Sequence, residues 1–136
     1  IRVPFIVSGA GLGNGARVDA RAFVTDVAPT LLALAGAPSE LQGAKPMTGR
    51  SLLPLLRGET DAAYGPGDAI VIEVSGNAAV IKGDYKLTRN QLPHGDGRWR
   101  LYDLSKDPGE TTDLSEGQPG IREDLLAEYA AYSQRV

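Results

Sequence analysis

An α+β fold is predicted for this chain, and three observations carry the prediction. Residues 5–8 are near-continuously apolar and lead, through a glycine-rich loop, to a helix-forming stretch between Asp26 and Gly36. Four short β-patterned runs lie between residues 69 and 103, joined closely enough for an antiparallel meander. Ile121, Leu125, Leu126, Tyr129 and Tyr132 then recur at helical spacing, with Glu123, Asp124 and Glu128 off that face. One amphipathic helix laid on one face of an antiparallel sheet is an α+β unit.

Composition sets the bounds. With 136 residues, 42% apolar and 23% charged, the chain is long enough to bury a core. The composition shifts at Gly65-Pro66-Gly67, which divides the chain into residues 1–66 and 67–136. The net charge of −3 carries no basic stripe, so no nucleic-acid partner is expected. No apolar run approaches the roughly eighteen residues a membrane span needs, so no membrane partner is expected either. No cysteine is present, which excludes a disulfide framework, a thiolate metal site and a cysteine nucleophile. The chain opens neither on Met nor on a leader pattern but on strand material, as part of a longer protein would.

In order, residues 5–8 suit a strand buried on both faces of an α/β sheet, with Pro4 limiting where its ladder begins. Asp26 reads as the N-cap of a helix with Pro29 in its first turn and Gly36 as its stop, burying Val27, Leu31, Leu34 and Ala35. Ser51 caps a short turn of helix through residues 52–56 that ends at Gly58. Residues 69–74 and 78–82 are strands joined at Ser75-Gly76-Asn77, and Gly83-Asp84 is a two-residue hairpin signal before a return strand over 85–88. A loop over residues 89–98 precedes a strand from Trp99, and Pro108-Gly109 then presets a tight turn. The last helix starts near Pro119. Trp99 is expected to pack on Leu125 and Tyr129, with either Leu101 or Tyr102 turned inward beside it.

Several stretches invite a chemical reading. Gly11 to Ala16 follows a strand and fits G-x-G-x-x-G/A, but dinucleotide binding needs a helix to start there, and the next helix signal lies about ten residues on. Ser51 stands among leucines, which favours a cap over a nucleophile. His94, the one histidine, sits in a Pro-Gly loop and is the candidate for a substrate-pocket rim. Lys82 and Lys86 flank a hairpin as surface charges able to meet an anion. Asp103, Asp107, Glu110 and Asp113 suggest a calcium loop, yet their spacing is not that of an EF-hand, and a capped turn explains them better. No constellation here amounts to an active site, so no catalytic, cofactor-binding or metal residue is assigned.

Leu101-Tyr102-Asp103-Leu104 followed by Asp107-Pro108-Gly109-Glu110 and Asp113-Leu114 resembles the C-terminal portion of sulfatases of the arylsulfatase type, in the alkaline-phosphatase superfamily. Residues 1–7 are similar to the strand after that family's E-G-G segment. Residues 25–36 resemble its D-x-x-P-T-L-L-x-L-A-G helix, residues 49–58 its G-x-S-L-L-P-L-L-x-G stretch, and residues 81–87 its R-x-G-x-x-K-L hairpin. Ser51-Leu52-Leu53-Pro54 with Arg57 departs from the nucleophile motif C/S-x-P-x-R, since each gap is one residue too long. The resemblance implies that residues 1–66 are the terminal strand and helices of a large α/β domain and residues 67–136 a small antiparallel subdomain. It also implies a parent sulfuric ester hydrolase with a formylglycine nucleophile and calcium, whose catalytic residues all lie upstream. The fragment alone is then inert, its partner the N-terminal catalytic part of the same parent. Its exposed strand edge at residues 5–7 and apolar face at 27–35 would drive self-association, while residues 67–136 close a core of their own. A freestanding binding or interaction module is the alternative.

Overall fold

The computed structural model describes residues 3–9, 11–12, 15–40, 43 and 45–135, and the chain divides into two compact units, Ile1–Tyr64 and Gly65–Val136. The first is built on a 3-10 turn (Val24–Asp26) continuing into α1 (Val27–Leu34), with a short α2 (Leu53–Leu56). The second is a four-stranded antiparallel sheet, β1 (Ala69–Val74), β2 (Asn77–Lys82), β3 (Tyr85–Arg89) and β4 (Trp99–Asp103) in the order β1-β2-β3-β4, followed by α3 (Pro119–Ser133). The predicted α+β class holds, with one element missing. Residues 5–8 form no strand, and Phe5 and Ile6 are 55% and 90% exposed. A β-branched run supplies propensity, but a strand exists only when another strand takes up its N–H and C=O groups.

The helical start also differs from expectation. Asp26 stands at the N-cap position of α1 as expected, but a 3-10 turn already begins after Phe23, so its backbone is helical and its side chain caps no amide of α1; the carboxylate instead reaches back to accept the Phe23 N–H at 2.7 Å. The stop is as expected. Gly36 has φ 66°, with Gly36 N–H donating to the Ala33 carbonyl and Ala37 N–H to Leu32, the paired bonds of a Schellman end. α2 ends in the same way at Gly58, whose φ is 71°. The buried side of α1 is Pro29 and Thr30, whereas Leu31 and Leu34 of the predicted apolar face are exposed. What fixes the helix is polar: Thr30 Oγ1 donates to the Asp26 carbonyl at 2.6 Å and accepts the Leu52 N–H at 2.8 Å. Leu52, Leu53 and Leu55 are buried.

In the second unit the turns set the register. Ser75 and Gly76 both have positive φ, as a type I′ hairpin requires, and Gly83 alone does so in the next, the pattern of type II′. Val71, Val80 and Leu87 therefore lie side by side across the sheet, and the β3–β4 pairing adds Leu101 to the row. Val80, Leu87 and Leu101 are fully buried together with Leu125 of α3, and Ile121, Leu126 and Tyr129 pack around them. Each such side chain contributes on the order of 1.5–3 kcal/mol by leaving water. Trp99 and Leu101 share this face, so the alternation turns Tyr102 to the other side; Trp99 meets Tyr129 edge-on at 5.0 Å between ring centroids.

β4 ends the sheet, and the segment after it covers that edge. Leu101 N–H donates to Asp113 Oδ1 (3.1 Å) and Ser115 Oγ (3.0 Å), the Leu101 carbonyl accepts the Leu114 N–H (2.8 Å), and Ser115 Oγ donates to the Trp99 carbonyl (3.3 Å). Asp113-Leu114 of the family-like stretch thus satisfies main-chain groups that would otherwise template another strand.

Candidate functional site

The side chains that the sequence marks as chemical fall into two groups: those consumed by internal contacts, and one exposed loop. Asp103 accepts the Ser105 N–H (3.0 Å) and hydroxyl (2.5 Å) and the Lys106 ammonium (2.8 Å). Asp107 accepts the Thr111 N–H (2.8 Å) and hydroxyl (3.0 Å) and the Thr112 N–H (2.8 Å), while Asp113 holds Leu101 and Ser115. These carboxylates brace turns, each with its own donors. Lys86 donates to Glu110 at 2.5 Å, and Lys82 donates to both Asp124 (2.9 Å) and Glu128 (2.8 Å), tying the sheet to α3. These bonds raise the Lys82 pKa, the one from Glu128 most. Ser51 Oγ accepts the Leu53 N–H at 3.2 Å, but the N-cap position of α2 is Leu52, so the expected cap falls one residue outside the helix.

Asp103 is the group most strongly perturbed by these contacts. The hydrogen bond from Lys106 first, then that from Ser105, lowers its pKa to about 2. A carboxyl whose folded value lies below the unfolded one stabilises the fold above the unfolded value, and that stability is lost as the pH falls through the folded one. Denaturation midpoints are expected to decline between about pH 4 and pH 2, and Asp103→Asn is expected to flatten that decline. An unchanged slope in the variant would assign the acid transition elsewhere.

Arg89 lies on the helix face, its guanidinium 4.9 Å from the Trp99 ring centre and 5.6 Å from that of Tyr129. Nη2 donates long bonds to Tyr129 Oη (3.3 Å) and the Gly76 carbonyl (3.4 Å), and the buried Nε has no hydrogen-bond partner. Tyr129 donates onward to Glu73 at 3.0 Å, beside an open hollow of about 420 Å³ that Tyr132 and Ser133 also line. The planar cation is held mainly by the two rings. Arg89→Lys, which keeps the charge and loses the stacking plane, is expected to cost about 1–2 kcal/mol in chemical denaturation; no change would make the stacking incidental.

His94 stands apart, exposed in the loop between β3 and β4. That loop is closely tied. His94 and Gly95 N–H groups donate to the Gln91 carbonyl, Gly97 N–H donates to the Asn90 carbonyl, and Gln91 N–H donates to Asn77 Oδ1. A Cβ at Gly95 would lie 2.4 Å from the Asn90 carbonyl oxygen, so the chain closes on itself there. Leu92 at its tip is 83% exposed. The glycine-rich stretch near residue 11 falls partly outside the described residues, and among the described residues no helix begins before Val24.

Asp26 is the polar centre that sequence reasoning missed. Fully buried, its carboxylate accepts from Phe23 N–H, Arg50 N–H (2.8 Å) and Tyr64 hydroxyl (2.5 Å). The Arg50 guanidinium lies 4.8 Å from the Tyr64 ring centre and donates to the Ala63 carbonyl at 3.1 Å. Every one of these contacts is internal. Among the described residues, no three His, Asp or Glu side chains converge as a metal-holding group.

Comparison with known proteins matches this geometry to a family. The family described as N-sulphoglucosamine sulphohydrolase, C-terminal, matches residues 1–128. Arylsulfatase K of Gallus gallus is 33% identical over 122 residues, covering 83% of this chain and 22% of that protein. An uncharacterized sulfatase of Schizosaccharomyces pombe is 35% identical over 60 residues, 44% of this chain and 11% of its own length. The chain thus spans about a fifth or less of the curated relatives it matches. Among solved structures, a 2-O GAG sulfatase is 31% identical with a TM-score of 0.52, over 80% of this chain and 23% of its own. A glycosaminoglycan-locus sulfatase of Bacteroides thetaiotaomicron has a TM-score of 0.67 at 24% identity, over 81% and 24%, a likeness of fold. Phosphonate monoester hydrolase of Agrobacterium radiobacter shares that fold at 19% identity and TM-score 0.54, over 82% and 25%, so the fold by itself does not select sulfate. By the family match over residues 1–128, the chain belongs to the sulfatase family, as its C-terminal portion.

Proposed function

We propose that this chain is the C-terminal part of an arylsulfatase-type sulfuric ester hydrolase and that its own role is structural. The observation that carries the proposal is the family match over residues 1–128, joined to a site inventory in which the family-like motifs are occupied by internal contacts. In this reading the formylglycine nucleophile and the divalent cation, calcium, belong to the upstream portion of the parent. Residues 5–8 add to the sheet of that portion, which supplies the strand partner they lack here. The tied loop carrying His94 stands at the rim of the substrate pocket, presenting an imidazole on a main chain that binding need not order.

The test measures turnover of an aryl sulfate by the 136-residue chain and by the same chain joined to its upstream sequence. Turnover is expected only from the longer protein, and a chelator is expected to abolish it. Chelator-sensitive turnover by the short chain would overturn the structural role. Absence of sulfate-ester turnover from the longer protein would overturn the sulfatase reading. In the longer protein, His94→Ala is expected to raise KM several-fold with the melting temperature unchanged; an unchanged KM would remove His94 from the rim.

A further inference from the structure

The two edges of the sheet are treated differently. Hydrogen-bonded pairs alternate along an antiparallel ladder, and the residues flanking a two-residue hairpin form such a pair. Val74 and Asn77 flank Ser75-Gly76, so Ile70, Ile72 and Val74 turn their main-chain groups toward β2, and Ala69, Val71 and Glu73 turn theirs outward. The same alternation makes Trp99, Leu101 and Asp103 the outward residues of β4. There the outward groups are engaged by Ser115, Asp113, Leu114 and Asp107. On β1, no described residue of the second unit bonds the outward groups of Ala69, Val71 or Glu73. The residues 67–136 that were expected to close on themselves therefore leave one edge open.

We propose that β1 is a self-association edge, which a second copy of this chain completes by antiparallel β1–β1 pairing. The sequence of β1 is complementary to itself. A twofold axis through Val71 sets Val71 opposite Val71, Ala69 opposite Glu73 and Ile70 opposite Ile72. In that register all three outward residues face outward residues, and each exchanges both its N–H and its C=O. Glu73, the one charged residue in β1, meets Ala69 rather than its own copy, so no like charges are opposed. The contact is isologous and closes at two chains, joining two four-stranded sheets into one of eight. Of the devices that commonly blunt an edge, a proline and a bulge are absent from Ala69–Val74, and the one charge, Glu73, turns to the helix face, where it accepts the Tyr129 hydroxyl.

Sedimentation and amide hydrogen exchange on the full chain, from low-micromolar to near-millimolar concentration, test this. The expected result is a monomer–dimer equilibrium in which the Ala69, Val71 and Glu73 amides exchange at least about tenfold more slowly at the upper end. Glu73→Pro removes an outward N–H, a substitution edge strands tolerate, and is expected to leave a folded monomer. Glu73→Gln keeps that N–H and an acceptor for Tyr129, and is expected to dimerise as the parent chain does. A monomer throughout the range would overturn the proposal, as would a dimer whose three amides exchange equally fast at all concentrations. Protection that does not depend on concentration would show the edge covered within one chain and would overturn it too.

Discussion

Gly49→Ala is expected to abolish the ordered packing of the first unit while leaving the second intact. A Cβ at Gly49 would lie 2.0 Å from the Thr25 carbonyl oxygen, 2.3 Å from its carbon and 2.7 Å from the Asp26 nitrogen. All three atoms are main chain, so no rotamer change relieves the contact; the two segments must part. Parting them carries Arg50 N–H away from Asp26 and Leu52 N–H away from Thr30, and leaves a buried carboxylate short of donors. Overpacking commonly costs about 1–3 kcal/mol, and here, where main chain must move and buried bonds break with it, a loss of at least about 3 kcal/mol is expected. Hydrogen exchange reads it directly. Arg50 and Leu52 amides should lose protection, while the Trp99 fluorescence transition of the second unit stays in place. Retained protection at both amides would show that the segments yield without separating.

That close approach marks where sequence reasoning runs out. The glycine of Gly49-Arg50-Ser51 is visible as a loop residue, but the strand of main chain it touches lies 24 residues earlier, a pairing no periodicity encodes. Asp26 fails for the same reason. Its place before Pro29 suggests a local cap, and its bond to Phe23 is local, but the Arg50 and Tyr64 donors come from 24 and 38 residues away. Residues 5–8 and the Leu31 side of α1 show the complementary limit: composition and spacing identify apolar surface without supplying what covers it.

The second unit was far more legible because its instructions are local. Ser75-Gly76 and Gly83-Asp84 each fix a two-residue turn, and once both registers are set, alternation alone lines up Val71, Val80 and Leu87, whereas Leu101 joins the row only through the β3–β4 pairing across the longer loop. Asp103, Asp107 and Asp113 are turn braces, as the capped-turn reading expects, since most of their donors lie within five positions. What stayed hidden was pairing across elements: Lys86 with Glu110, Lys82 with Asp124 and Glu128, and Arg89 between two rings. A lysine at a hairpin looks like a surface charge until the helix or strap opposite it is in place.

Trp99→Ala is the expected large loss in the second unit. The indole sits at one end of the helix face of β4, edge-on to Tyr129 and under the Arg89 guanidinium, and it borders the fully buried cluster of Val80, Leu87, Leu101 and Leu125. Truncation removes the ring's burial and the edge contact, and leaves a void into which Tyr129 cannot move without losing its bond to Glu73. It also strips the half-buried Arg89 of its nearer ring, leaving the guanidinium the Tyr129 ring and the long bonds to Tyr129 Oη and the Gly76 carbonyl, with Nε still lacking a partner. Large aromatic truncations in cores cost about 3–5 kcal/mol, and that range is expected here in urea denaturation followed by far-ultraviolet circular dichroism. Trp99→Phe, which keeps a ring facing both Tyr129 and Arg89, should recover more than half of the loss. The coupling can be read separately: if Arg89 depends on the indole, Arg89→Met in the Trp99→Ala background should cost less than Arg89→Met alone. A total loss below about 1 kcal/mol for Trp99→Ala would mean that the ring is dispensable and that the core of this unit ends at Leu101.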